Sequence, residues 1–397
     1  MSLPGVTVGP PLSGYDVVIV GAGVQGLATA YELAQRGVTN VAVLDRSWPG
    51  GGASGRNGEM IRSAFSSKEW TQLFDVSLRR FGQLSAELDF NILFSPAGYL
   101  ILASTDEEAS RQEATTAGQA DYGVDSVVLN RSEVLDLVPS VNPDLVCGGI
   151  LQRDGGFAHH DAVVWGYLQA AARAGVSVFD DVDVLSVLTS ADGRAAGVRT
   201  SKGDISAGAI VNAAGGDSLH LNNSVGLRLP LIQARLEMLV TEPLKPFLPC
   251  AVATPHLLGY CHQTARGEFV GGTELPFIDE TDSLNTTYRL LRDMATKWVR
   301  LFPSLGGARV LRTWAGTVSQ TPDLGPVLGP APEVPGYWLS IGWVYGFMGA
   351  PAAGQLLAEA ITTGNTPEVM APFGANRLVE GRWIRESTLV VASEENP

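Results

Sequence analysis

Three cysteines in 397 residues are too few for a disulfide framework. Cys147, Cys250 and Cys261 form neither a CxxC pair nor a metal-ligand spacing, so a bound metal is not expected and a reducing, cytoplasmic compartment is. Basic residues are also scarce. Against 41 Asp and Glu stand 27 Lys and Arg, a formal net charge of −14, which argues against nucleic acid and against an anionic membrane surface. An anionic small molecule is not excluded, because one buried arginine outweighs a distant acidic surface. There is no secretory signal, no apolar run of membrane-spanning length, no internal repeat and no low-complexity segment. Hydrophobic residues make up 45 % of the chain, and the length allows two or three domains around a large core. Residues 1–14, rich in Pro, Gly and Ser, read as a loose arm, and Glu394 to Pro397 as a frayed tail.

What is abundant is glycine, and its first cluster organises the chain. Asp16 to Val20 is a short continuous apolar run, as a strand buried on both faces should be. Gly21-Ala-Gly-Val-Gln-Gly26 follows in the form G-x-G-x-x-G, then a helical pattern from Leu27 to Arg36 with Gly37 placed to end it. A second strand, Val41 to Leu44, ends in Asp45, 19 residues past the last glycine. In a dinucleotide site Gly21 allows the tight turn, Gly23 admits a pyrophosphate, and Gly26 lets helix and strand pack closely. Val24 and Gln25 open the helix whose N-terminus faces the phosphates, and Asp45 has the spacing of a ribose hydroxyl acceptor, with Arg46 beside it. The motif alone does not choose between NAD and FAD. Its place at the start of the folded chain, and a second glycine-rich stretch from Gly50 to Arg62, favour FAD, whose ring needs extra backbone approach.

Further along, Ser66 to Leu88 is helical by pattern, Phe90 to Leu102 alternates like strands, Asp106 to Gly123 is a polar helix and Ser132 to Val138 a short one. Asp161 to Ala174 reads as an amphipathic helix. Val176–Phe179, Val182–Leu188, Gly197–Thr200 and Ile205–Ala207 read as strands, and Ile210 to Gly216 as a buried strand that ends in glycine. Strands around Leu236–Thr241, Gly259–Gln263 and Glu268–Gly272 precede a helix from Leu284 to Leu301. The last third carries Thr313 to Gly316, Thr321 to Gly329, a strand Tyr337 to Ile341, a glycine turn Gly342 to Gly349, and a helix Ala352 to Thr362 whose N-terminus would face a reduced flavin. These patterns predict an α/β fold. A Rossmann-like FAD domain on a largely parallel sheet is expected from 1–89, 151–226 and 311–397. A discontinuous α+β substrate domain with a mixed sheet is expected from 90–150 and 227–310.

The glycine motif, Ala53-Ser-Gly-Arg-Asn-Gly58, Asn212-Ala-Ala-Gly215 and Thr321 to Gly329 together resemble the D-amino-acid oxidase superfamily of FAD enzymes. Within it, Ile61-Arg-Ser63, Ala158 to Trp165, Val310 to Trp314 with Gly316, and Gly342 to Pro351 are most similar to heterotetrameric sarcosine oxidase β subunits and their relatives. The similarity runs from about residue 15 to 385. It implies oxidation of the C–N bond of a secondary amino acid, such as an N-substituted glycine. Hydride passes from carbon to flavin N5, an imine forms and hydrolyses, and O2 reoxidises the flavin to give H2O2.

The resemblance also implies roles for residues. Ala53, Ser54, Gly55, Arg56, Asn57, Gly58, Val184, Ala214, Gly215, Gly316, Gly342, Gly346, Phe347 and Met348 would join the glycine motif, Asp45 and Arg46 around FAD. Arg62 would clamp the substrate carboxylate with its guanidinium fork. Tyr260 falls on the strand that supplies an active-site tyrosine, Tyr345 in the turn facing the flavin, and Glu274 near a polar group of relatives, although a surface place suits Glu274 better. Met348 stands where sarcosine oxidases carry a lysine, and Val318 where glycine and D-amino-acid oxidases carry an arginine, which suggests a substrate larger than sarcosine with an apolar N-substituent or side chain. The cysteine that anchors FAD in monomeric sarcosine oxidases matches Gly316, so FAD should be noncovalent. His160 matches the attachment point of a second flavin, FMN, at a subunit interface; the alternative is a plain helix start capped by Asp161. A dehydrogenase β subunit for opines or proline, passing electrons to a partner subunit, is the competing enzyme reading. A non-catalytic flavoprotein is a third.

Overall fold

The computed structural model describes residues 3–274, 281 and 283–388, so the tail expectation at Glu394 to Pro397 and the first two residues of the arm lie outside the described residues. Two eight-stranded sheets carry the chain. In the first, Gly14–Val20 runs parallel to Val41–Leu44 on one side and to Gly203–Asn212 on the other. Ser177–Phe179 and Tyr337–Ile341 extend that parallel core outward. Val17–Val20, Val41–Leu44 and Ile210–Val211 are apolar and buried because both faces are covered there. Val17 and Ile19 face the helices Val24–Gln35, His160–Arg173 and Gly346–Thr363. Val18 and Val20 face Leu221, Val187 and Val198 on the opposite side, the two-residue alternation of a strand.

Several expectations shift. The first helix starts at Val24, directly behind Gly23, so Gly26 lies inside it. Ile205–Ala207 and Ile210–Asn212 are one strand, Gly203–Asn212, joined by hairpin to Ala195–Thr200. The arm is docked rather than loose: Val6 is buried, Thr7 N–H donates to Val178 O at 2.7 Å, and Val178 N–H donates to Thr7 Oγ1 at 2.9 Å.

The second sheet is mixed, as expected: Ala251–Thr254 pairs parallel with Tyr99–Ala103, and the other pairings are antiparallel. Helix Tyr288–Leu301 covers it with Leu290, Met294, Trp298 and Leu301, packed on Phe269 and Phe302. Its start is fixed by Thr287, whose side chain caps Leu290 N–H and whose own N–H donates to Glu237. Only Tyr99–Ala103 forms from the stretch 90–102, because Asp89 and Leu93 adopt φ of 46° and 55° and break the extended run. Val310–Gln320 pairs along Ile232–Pro243, so the chain is still in the second sheet past residue 311 and rejoins the first at Val327–Pro330. A short ribbon, Met60–Ile61 with Gly156–Phe157, lies outside both sheets. Among the described residues no helix is long and apolar enough to cross a membrane.

Candidate active site

Both sheets contribute to one cleft of about 710 Å³. Its floor is the turn between the first strand and first helix. Gly21, Gly23, Val24 and Gln25 line it; Gly26 does not, and its role is packing, since a β-carbon there would fall 2.0 Å from Gly21 O. Gly23 takes the N-cap position without any side-chain cap, and Val24 N–H donates to Ser54 Oγ at 2.9 Å. Asp45 closes the second strand and lines the cleft with Arg46. Its carboxylate accepts from Ala22 N–H at 2.8 Å and Ser47 N–H at 2.9 Å, so it also holds the glycine turn in shape. Burial pushes its carboxyl above the usual value, against the lowering effect of those two amides. Arg46 is exposed and paired with Asp217 at 2.8 Å.

The second glycine-rich stretch forms a tight loop over the cleft. Arg56 Nη1 donates to Gly51 O and Gly52 O, Asn57 Nδ2 to Ser54 O, and Trp314 Nε1 reaches across from the second sheet to Arg56 O at 2.9 Å. Ala53, Ser54, Arg56, Asn57 and Gly58 line the cleft; Gly55 does not, and a β-carbon there would fall 2.6 Å from Gly50 O. Val184, Ala214, Gly215 and Gly316 line it as well. A β-carbon at Gly316 would meet Arg56 Cβ at 3.2 Å, and none of the three cysteines lines the cleft.

The far wall is the turn Gly342 to Met348, but Gly346, Phe347 and Met348 are already the first turn of the helix Gly346–Thr363, which starts six residues earlier than the pattern suggested. Gln25 joins this wall to the glycine turn: its Nε2 donates to Gly346 O at 2.6 Å and its Oε1 accepts from Ser340 Oγ at 3.0 Å. Two helix N-termini therefore converge on the cleft, a field that favours negative charge. A glycine cradle, a half-buried acid at the second strand's end and this field fit the diphosphate, ribose and ring of FAD.

The cleft lining also includes Met60, Tyr99, Leu236, Met238, Tyr260, Val318, Tyr345 and Met348, a largely apolar set. Tyr345 packs edge-on against Phe65 and Trp70. Burial, then Glu274, Tyr345 and Tyr99, raise the Tyr260 phenol well above its usual value, so it stays neutral and able to donate. Arg62 is not part of this lining. Its guanidinium is buried behind Tyr99, 5.5 Å from that ring and 3.9 Å over Phe65, and donates to Ala64 O and to Thr388 Oγ1 and O. In this arrangement it offers no fork to the cleft. Glu274 is buried rather than surface, and it does not line the cleft.

Three residues that the sequence did not single out matter here. Glu59 lines the cleft beside Gly58, with Oε1 2.6 Å from His160 Nδ1 and Oε2 3.2 Å from His262 Nε2. His262 lies two positions after Tyr260 on the same strand, the only available signal for it. Tyr99 begins a buried strand and showed no polar pattern. His160 itself lies outside the cleft, at the first position of its helix; Asp161 is not the cap there, since His159 holds that position. The donor atoms of Glu59, His159 and His160 lie within 4.8 Å of one another. Glu59 and His160 are already paired, so they are read as an ion pair.

Comparison with known proteins agrees with this geometry. The profile of the DAO family, FAD dependent oxidoreductase, matches residues 16–360. A sarcosine oxidase subunit beta from Rhodobacter capsulatus is 35 % identical over 388 residues, covering 95 % of this chain and 92 % of that one. Glycine oxidase from Geobacillus kaustophilus is 26 % identical, covering 91 % and 97 %. Among solved structures, L-proline dehydrogenase from P. horikoshii superposes with a TM-score of 0.89 at 28 % identity, covering 94 % of this chain and 100 % of that one. With a glycine cradle, an apolar far wall and likeness across nearly its full length, this chain belongs to the FAD-dependent oxidoreductases of the DAO family.

Proposed function

We propose that this protein oxidises the C–N bond of a secondary amino acid, with an N-substituted glycine as the class that fits best. The observation that carries the reading is one continuous cleft, lined both by the glycine turn at Gly21 and by the apolar Met60, Leu236, Met238 and Met348. When bound, FAD supplies the two-electron acceptor. The chain's own residues would hold the diphosphate at the N-terminus of the Val24–Gln35 helix and face the flavin with that of the Gly346–Thr363 helix, exclude water with the methionine and tyrosine lining, and present the neutral Tyr260 hydroxyl to the substrate. A noncovalent FAD belongs to this reading: Gly316 offers no sulfur and no cysteine lines the cleft, which removes a cysteinyl link. Arg62 takes the substrate carboxylate only after its side chain leaves Thr388 and passes Tyr99. A cytoplasmic location belongs to the same reading.

Anaerobic mixing with a panel of N-alkylglycines tests this: the flavin absorbance should bleach, and admission of air should yield peroxide, with glyoxylate or the aldehyde of the N-substituent as the carbonyl product. A panel that leaves the flavin oxidised sinks the substrate assignment. Acid precipitation should release flavin of FAD mass. A second reading, a dehydrogenase subunit, draws on relatives named as β subunits and on the likeness to L-proline dehydrogenase. Bleaching without peroxide, with reoxidation by an artificial dye, would favour it, as would an FMN carried at His160 by an added partner subunit.

A further inference from the structure

Glu59 is buried and has φ of 65°, a left-handed conformation that a residue with a β-carbon keeps only where its surroundings impose it. Every polar group of the residue is engaged. Its N–H donates to Asn57 Oδ1 at 2.7 Å, and its carbonyl accepts from Ala158 N–H at 2.9 Å. Oε1 accepts from His160 N–H at 3.1 Å and lies 2.6 Å from His160 Nδ1 and 3.9 Å from His159 Nδ1. Oε2 lies 3.2 Å from Nε2 of His262, which is fully buried with its ring stacked 4.4 Å from Phe157. On the His262 strand Tyr260 shares the same face and touches the neighbouring residue of the loop: a β-carbon on Gly58 would sit 2.5 Å from Tyr260 Cε2.

We propose that Glu59 is a positioning residue whose carboxylate, bridging His160 and His262, fixes the Ala53–Gly58 loop against the strand of Tyr260. It thereby sets how closely the flavin edge of the cleft meets the substrate wall. The proposal rests on the flavin reading of the cleft. One carboxylate ties three segments, the loop, the helix that starts at His160 and the second sheet, and adds to the bond that Trp314 Nε1 makes from that sheet to Arg56 O.

The electrostatics give this tie a pH dependence. Burial opposes the Glu59 charge, but bonds from His160 and His262 more than offset it and hold the carboxyl well below the usual range. Burial also opposes the His160 charge, but Glu59, with Asp161 adding, raises that imidazole against the opposing charge of Arg312. The charged and titratable groups facing the tie are thus Glu59, His159, His160, Asp161, His262 and Arg312. A raised imidazole gives a contribution that is complete below its unfolded value and lost as pH rises through the folded one; a depressed carboxyl loses its contribution only on strong acidification. The tie therefore loosens on the alkaline side.

The test titrates FAD into apoprotein and reads flavin fluorescence from about pH 6 to about pH 10, alongside thermal unfolding. Wild type should bind more weakly as pH rises. Glu59→Gln should bind roughly tenfold more weakly near neutrality and lose the alkaline slope. His160→Gln, which keeps the carboxylate, should lose the slope as well and serves where Glu59→Gln does not fold. A wild-type dissociation constant and slope in either variant overturns the proposal, and so does a flavin peptide that contains His160. Absence of turnover on every amino acid would remove the substrate assignment and leave this inference standing, because its readout is binding.

Discussion

Arg62 and Thr388 stand 326 residues apart in sequence, yet the Thr388 hydroxyl and carbonyl take two of the arginine's donors, at 3.1 and 2.9 Å. Glu386 completes the clasp by accepting from the Ser66 and Ser67 amides. The segment around Thr388 thus holds the donors that a substrate carboxylate would need under the proposed clamp. Arg62→Ala should cut kcat/KM on amino-acid substrates by roughly ten- to several-hundred-fold, since a charge-assisted bond contributes about 1.5–3 kcal/mol. Thr388→Ala removes only the hydroxyl acceptor and leaves the backbone carbonyl in place, so it should lower KM modestly. Steady-state kinetics on both variants decides: an Arg62→Ala enzyme with wild-type kcat/KM on every substrate leaves the arginine a purely structural role behind Tyr99.

Asp45 should govern FAD affinity. Replacing it by Ala removes the acceptor for Ala22 and Ser47 as well as any ribose contact. The loss expected is about 1–3 kcal/mol of FAD binding, read by titrating apoprotein with FAD. Unchanged affinity would take Asp45 out of the cofactor site.

A second buried ion pair lies behind the far wall. Arg377 Nε and Nη2 donate to Asp323 at 2.9 and 3.1 Å, and both side chains are 1 % exposed. Burial pushes the Asp323 carboxyl up, but the bonds and charge of Arg377 outweigh it, and the net shift is downward. A depressed carboxyl gives stability that is complete above its unfolded value and lost as pH falls through the folded one. Asp323→Asn should therefore cost about 3–5 kcal/mol near neutral pH, because it leaves a buried guanidinium unpaired. Urea denaturation at about pH 7 and about pH 3 should show that gap narrowing on acidification. A gap that stays constant assigns the effect to packing.

How far the sequence could be read depended on how local each signal was. Gly21, Gly23 and Asp45 are set by neighbours within one βαβ unit, so their meeting at one turn was legible. The seclusion of Arg62 was not, because its partner Thr388 is brought in by the whole fold. Glu59 carried no signal either. Its left-handed backbone and its contact with His262 depend on a strand 200 residues later. Val310–Gln320 reads like any strand, and only its pairing with Ile232–Pro243 places it in the second sheet. The helix start at Gly346 was hidden because four of its first nine residues are Gly or Pro, which read as a turn.

Met348 offers the sharpest test of substrate size. It is buried in the first turn of the Gly346–Thr363 helix and lines the cleft with Met60, Leu236 and Met238. No charged side chain stands among those four, so the wall rewards apolar area at about 25 cal/mol per Å² removed from water. Met348→Lys places an ammonium at a helix N-terminus, where the dipole disfavours it, unless a bound carboxylate pairs with it. The variant should therefore gain preference for small N-methyl substrates over bulky N-alkyl ones, by a repulsive as well as an attractive change. The measurement is the ratio of kcat/KM for sarcosine to that for an N-alkylglycine with a longer chain. A ratio that does not rise in Met348→Lys would place the N-substituent elsewhere in the cleft, with Val318 and Leu236 as the next residues to vary.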